Sequence, residues 1–98
     1  MPYTMRTTVT KPNGVQWWNE ANPAAAQRYA DFTTSFPGVV SAAGGVNQSN
    51  PNLFESTIVF ADQAACQAFA NACSQNADWV SRKGYLNANG FTTQFQFS

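Results

Sequence analysis

The strongest constraint on this chain is a succession of side-chain periodicities: alternating, helical, alternating, alternating, helical, alternating, all within 98 residues. Tyr3 to Lys11 alternates, with Tyr3, Met5, Thr7 and Val9 on one side and Thr4, Arg6, Thr8 and Thr10 on the other. That period of two predicts a strand. Lys11-Pro12-Asn13-Gly14 breaks it, and Asn22-Pro23 predicts an N-cap followed by a proline at the first helical position, where its missing N–H costs nothing. The helix runs to about Ser35. Ala25, Tyr29, Phe32 and Phe36 form its apolar stripe, and Pro37-Gly38 ends it.

Val39 to Val46, rich in Val, Ala and Gly, reads as a second strand of low bulk, and Asn47 to Asn52 as a turn. Leu53 to Phe60 then sets Phe54, Ser56, Ile58 and Phe60 on one face, with Leu53, Glu55, Thr57 and Val59 on the other. That second face is only half polar. Asp62 is placed to cap one long helix whose stripe is Cys66, Phe69, Ala70, Cys73, Ala77 and Val80, with Arg82 and Lys83 complementing the dipole before Gly84. After Asn87-Ala88-Asn89-Gly90, Phe91 to Phe97 alternates as the last strand. The expected order is β-α-β-β-α-β in one domain, residues 1–98.

Composition excludes several function classes. Five Lys and Arg balance five Asp and Glu, so there is no basic footprint for nucleic acid and no polybasic segment for an anionic membrane. The start, MPYTMRTTVT, lacks an apolar run of signal-peptide length, and no stretch of some 18 apolar residues follows, which sets the expectation of a soluble, cytoplasmic protein. With no histidine and two cysteines, neither a metal site nor a cofactor is expected. Cys66 and Cys73 lie seven positions apart on a helical pattern, roughly 10 Å from one another and beyond disulfide reach, so they read as reduced, partly buried thiols.

The element order resembles the ferredoxin-like α+β fold, a four-stranded antiparallel sheet with two helices on one face. Pro37-Gly38-Val39-Val40, at the start of the second strand, and the semi-apolar second sheet face further resemble the dimeric α/β-barrel group. The resemblance implies that two sheets pack face to face and that any reactive site lies between helices and sheet. It also implies a range of activities: cofactor-free monooxygenases, haem-degrading and chlorite dismutase-like enzymes, and stress-responsive binding proteins. A proximal haem histidine cannot be carried over to a chain without one. RNA-recognition domains share the fold, but their aromatic glycine-rich signature is missing here.

No motif fixes a catalytic residue. Adjacent Trp17 and Trp18 are weighed mainly as packing or interface rings, as is Trp79, and with Tyr29 they complete the candidate ligand-binding set for a small apolar or aromatic molecule. Cys66 lies in the first turn of its helix, where the dipole lowers a thiol pKa, yet its apolar stripe favours a structural role. The carboxylates are dispersed. Arg6 and Glu55 read as a cross-strand pair on the second sheet face, and with Thr57 they are the interface candidates. The expected function is a non-enzymatic, self-associating domain with a structural or small-ligand-binding role, a homodimer through the sheet face. The alternative is a cofactor-independent monooxygenase- or isomerase-like enzyme with a cleft between helices and sheet.

Overall fold

The computed structural model describes residues 2–98. Strand β1 (Tyr3–Thr10) leads through the one-turn helix α1 (Trp18–Ala21) and helix α2 (Pro23–Ser35) into strand β2 (Val39–Asn47). Strand β3 (Asn50–Phe60), helices α3 (Gln63–Cys73) and α4 (Ala77–Ala88) and strand β4 (Thr92–Phe97) follow. The sheet order is β2-β3-β1-β4, antiparallel throughout, which is the ferredoxin-like arrangement. None of the described helices is long and apolar enough to cross a membrane.

Three local details depart from the expectations. The long second helix is two helices. Asn76 accepts a hydrogen bond from Trp79 N at 3.0 Å and restarts the backbone as an N-cap, so α3 ends at Cys73 and Val80 leaves the stripe, 51% exposed. Gly84 lies inside α4 and does not terminate it. Secondly, Trp18–Ala21 folds as a helical turn of its own, with Glu20 and Ala21 N–H groups donating to the Trp17 carbonyl. Asn22 therefore sends its side chain back to the Trp18 carbonyl rather than forward to cap α2. Thirdly, β3 begins at Asn50, because Asn47 Oδ1 accepts from the N–H groups of Ser49 and Asn50 and tightens the hairpin turn.

The β1–β3 register, Tyr3↔Phe60 through Thr10↔Leu53, puts Tyr3, Met5, Thr7 and Val9 on the same face as Phe54, Ser56, Ile58 and Phe60. The helices pack on that face. Two apolar clusters result. One gathers Ile58, Phe60, Cys66, Phe69 and Cys73 under Tyr29, Phe32, Phe36 and Trp79; the other gathers Val9, Trp17, Leu86 and Phe91 with Val15, Phe54 and Tyr85. Between them runs a cross-strand row of small or polar residues, Gly44, Ser56 and Thr7. Burying a single Val or Phe side chain contributes about 1.5–3 kcal/mol, so the fully buried Val9 and Phe60 are the anchors of their respective clusters.

The turn from α2 into β2 is fixed by one glycine. Gly38 has φ +91°, and its carbonyl accepts from Ala61 N at 2.8 Å, which ties the turn to the start of the second crossover. A Cβ there would stand 2.6 Å from Ala65 Cβ on α3. Both the left-handed backbone and the contact resist a side chain. Gly38→Ala is accordingly expected to lower unfolding free energy by about 1–3 kcal/mol. Gly45→Ala, where a Cβ meets nothing within 4 Å and φ is ordinary, should stay within about 0.5 kcal/mol of wild type. Urea unfolding midpoints of the two variants check this, and equal midpoints would remove the role assigned to Gly38.

Candidate functional site

Asp62 Oδ1 accepts from Ala65 N at 2.8 Å and sets the rotational phase of α3. With that phase Cys66, Phe69 and Cys73 turn inward, while Gln63, Gln67 and Ala70, at helical i, i+4, i+7 spacing, face the sheet's β1–β4 side. Opposite them stand Tyr3 of β1 and Phe97 of β4. The six side chains Tyr3, Gln63, Cys66, Gln67, Ala70 and Phe97 enclose a cleft of about 210 Å³ between helix and sheet.

The floor of this cleft is aromatic. Tyr3 and Phe97 stack with ring centroids 6.0 Å apart at 21°, and Phe97 continues to Phe95 at 6.4 Å and 17°. Phe95 and Phe97 are 55% and 52% exposed although they lie on the helix-facing side, because the helices pack closely on the other strands and not on β4. Two neutral amides, Gln63 and Gln67, are the polar groups of the helical wall. Burial raises the Cys66 thiol pKa, which keeps it protonated and poorly nucleophilic.

A second, more open groove lies on α4, lined by Ser74, Trp79, Val80, Lys83, Gly84 and Asn87. Lys83 Nζ sits 5.2 Å from the Trp79 ring centroid, a cation–π contact between two residues of the groove wall. Beneath α4, Tyr29 Oη lies 3.9 Å from Cys73 Sγ. Burial dominates here: it raises the Tyr29 phenol, pushes the Cys73 thiol up to about 11 against a weaker opposing hydrogen bond from Tyr29, and lowers Arg82.

No carboxylate reaches either depression. Glu20 accepts from Trp17 N, Asp31 from Gln27, Glu55 from Asn47 Nδ2, and Asp62 from Ala65 N. Asp78 is held by both Nε and Nη2 of Arg28 at 3.1 and 2.9 Å, and that hydrogen-bonded guanidinium keeps its pKa below the usual carboxylate value. Arg28–Asp78 joins α2 to α4 and is the ion pair among the described residues. No group of three His, Cys, Asp or Glu is placed to hold a metal among them either.

The residues singled out from sequence are scattered. Trp17 is buried: its ring meets Phe54 and Phe91 at 5.7 and 5.6 Å, and its Nε1 donates to the Pro51 carbonyl at 3.2 Å. Trp18, 2% exposed, is buried as well, and its Nε1 has no hydrogen-bond partner among the described residues. Tyr29 packs against the cluster of Phe60, Phe69 and Cys73 and Trp79 lines the outer groove, so the four aromatic candidates do not meet at one site. Arg6 and Thr57 are register partners on the uncovered face. Glu55 stands opposite Thr8 and Gly45 instead, which replaces the expected Arg6–Glu55 pair. A two-residue offset along the strands separates the two charges, and Asn47 takes the carboxylate. The cleft residues Gln63, Gln67, Tyr3 and Phe97 are absent from the sequence-based candidates. Their signal is present in the i, i+4 spacing of the glutamines and in the shared parity of Tyr3 with the last strand's phenylalanines.

No protein-family profile matches the sequence, and no curated protein resembles it at the sequence level. Solved structures do share its fold. SnoaB, a cofactor-independent oxygenase from Streptomyces nogalater, superposes in a point-mutant form with a TM-score of 0.68 at 18% identity, over 99% of this chain and 90% of that one. Proteins described as antibiotic biosynthesis monooxygenases from Deinococcus radiodurans and Nitrosomonas europaea each give 0.74, at 11% and 10% identity. They cover 98% and 99% of this chain and 89% and 88% of theirs. The chain therefore shares the small ferredoxin-like α+β fold of these proteins.

The thiols give a pH-dependent test. A folded-state Cys73 pKa of about 11, above its ordinary value of 9.0, means that the unfolded chain loses this proton first as pH rises. Stability contributed by the protonated thiol is full below pH 9 and is lost as pH rises through about 11, by an amount on the order of 1–3 kcal/mol. Wild type should thus lose thermal stability between pH 9 and 11 more steeply than Cys73→Ala. Parallel melting curves for the two proteins over that window would contradict the assignment.

Proposed function

We propose that this chain is a small-ligand-binding domain that takes a flat, neutral aromatic molecule in the cleft between α3 and the β1–β4 side of the sheet, and that it works as a homodimer through the uncovered sheet face. The observation that carries the ligand reading is the stacked Tyr3–Phe97 floor beneath the Gln63 and Gln67 amides. Aromatic rings favour offset stacking on such a surface, and the amides supply one donor and one acceptor type to fix orientation. An apolar cavity of about 150 Å³ holds benzene. At about 210 Å³, partly open to solvent, this cleft suits one ring or a small fused pair. Because neither an acidic nor a basic side chain lines the cleft, a ligand carrying a strong charge of either sign finds no counter-ion there.

A second reading is favoured by the whole-chain likeness to SnoaB: oxygenation of an oxidisable aromatic without a cofactor. In that reading the chain would position and desolvate a substrate whose own ring supplies the electrons, since no charged acid or base lines the cleft. Binding precedes chemistry in both readings. Titration of single-ring phenols and quinones, followed by tryptophan fluorescence and thermal shift, should give saturable binding that Phe97→Ala weakens about three- to tenfold. Absence of saturable binding across the series would sink the ligand reading. Oxygen uptake on addition of a bound phenol would select the second reading.

The dimer reading rests on the composition of the uncovered face. Leu53, Thr57 and Val59 are half-buried in the single chain and stand beside Arg6, Thr8 and Glu55 with no helix over them. Glu55→Lys would add a cation near Arg6 at such an interface, where desolvation enlarges like-charge repulsion. The dimer dissociation constant should rise roughly tenfold while the melting temperature measured at high dilution stays close to wild type. Sedimentation equilibrium reads the first quantity, and an unchanged constant would move the interface off this face.

A further inference from the structure

The two edges of the sheet are protected unequally. Strand β2 carries register irregularities between Val39 and Ser41 and between Val46 and Asn47, so its outer edge is broken at both ends. Strand β4 has none of the devices that guard an edge. Its sequence, TTQFQF, contains no charge, no proline and no glycine, every residue in it is exposed, and its pairing with β1 runs without a shift. The chain's net charge of zero adds no long-range repulsion between copies.

The ladder shows which backbone groups of β4 are free. Ser98 N donates to Thr4 O and Thr4 N donates to Ser98 O, so Thr4 and Ser98 form a mutually hydrogen-bonded pair. Such pairs recur at every second residue of an antiparallel ladder. Gln96 with Arg6, Gln94 with Thr8 and Thr92 with Thr10 are therefore the inward-bonded pairs. The N–H and C=O groups of Thr93, Phe95 and Phe97 point away from the sheet. These are also the residues whose side chains lie on the helix-facing side, where Phe95 and Phe97 are half exposed.

We propose that β4 pairs edge to edge with β4 of a second copy of this chain, antiparallel about a twofold axis at Phe95. Phe95 then exchanges both backbone bonds with its own counterpart, and Thr93 and Phe97 of one copy do so with Phe97 and Thr93 of the other. The arrangement is self-complementary: all outward donors and acceptors are used and no residue is left out of register. The axis stands perpendicular to the sheet, so both copies carry their helices on the same side, and the two Phe95 rings become direct cross-strand neighbours. Two four-stranded sheets join into one continuous sheet. The pairing uses a surface separate from the uncovered face and holds whether or not that face dimerises. A contact confined to one six-residue strand from each copy is small beside the roughly 1,200 Å² of stable complexes, so the association expected is weak and concentration-dependent.

Hydrogen exchange on the intact chain tests this directly. Between roughly 10 µM and about 1 mM, a range that spans weak association, the Phe95 and Phe97 amides should gain protection as concentration rises, whereas Gln94 and Gln96 amides, bonded to β1, should be protected throughout. In Phe95→Lys, which sets two cations side by side at the axis, that gain should vanish, and sedimentation velocity should show loss of the largest species. Thr93→Lys, a milder surface change, should reduce the gain as well if Phe95→Lys proves poorly folded. Concentration-independent exchange of Phe95 and Phe97 in the wild type overturns the proposal. Glu55→Lys is the control for the other surface: it should leave the Phe95 and Phe97 protection in place, and its loss there would also overturn independent edge pairing.

Discussion

The uninterrupted ladder between β1 and β3 is the constraint from which the rest of the molecule follows. Its register runs from Tyr3↔Phe60 to Thr10↔Leu53 without a shift, whereas the outer β2–β3 pairing is irregular at both ends. A slip of one residue would turn one strand over, bringing Arg6 under the helices and expelling Val9 if β1 inverts, or bringing Glu55 under and expelling Ile58 and Phe60 if β3 does. The penalty for that inversion, buried apolar side chains exchanged for one charge and one or more hydroxyl groups, fixes the face on which α2, α3 and α4 pack. It also fixes Tyr3 on the helix side, where Phe97 reaches it from β4.

The core built on that face is divided. Thr7, Ser56 and Gly44 form a row of small or polar side chains across the middle of the sheet, and the large apolar residues collect on either side of it. A Cβ at Gly44 would come within 2.8 Å of Ser56 Cβ, so the row is also where β2 and β3 approach too closely for bulk. The helices above are tied to one another by different means. Arg28 and Asp78 clasp α2 to α4 at the surface, and Tyr29 meets Cys73 below. Trp18 Nε1 is the buried polar side-chain atom left without a partner among the described residues, an unpaired donor inside an otherwise satisfied interior.

The fold shared with SnoaB assigns no chemistry to the helix–sheet cleft of this chain. What the cleft contains is neutral: aromatic rings, two amides and a protonated thiol. Such a lining binds and orients well. It offers no charged acid, base or metal ligand, so recognition of an aromatic ring is the part of the proposed function that these side chains themselves explain.

Much of the architecture is legible in the chain's own patterns. Strand parity identifies the helix-facing sets of β1 and β3, the Ala25-Tyr29-Phe32-Phe36 stripe identifies α2, and Asp62 is recognisable as the α3 cap. The break between α3 and α4 is not legible, because Ala77 and Val80 continue the stripe's spacing, and only the hydrogen bond made by Asn76 outweighs it. Sequence by itself determined which residues share a face, since side-chain direction in strands and helices is set by local backbone geometry. Only the tertiary structure decided where a cleft opens and which edge stays bare. Those depend on how far α3 sits from β4 and on Tyr3 and Phe97, at opposite ends of the chain, meeting face to face, and distances between elements are set by packing that no local pattern encodes.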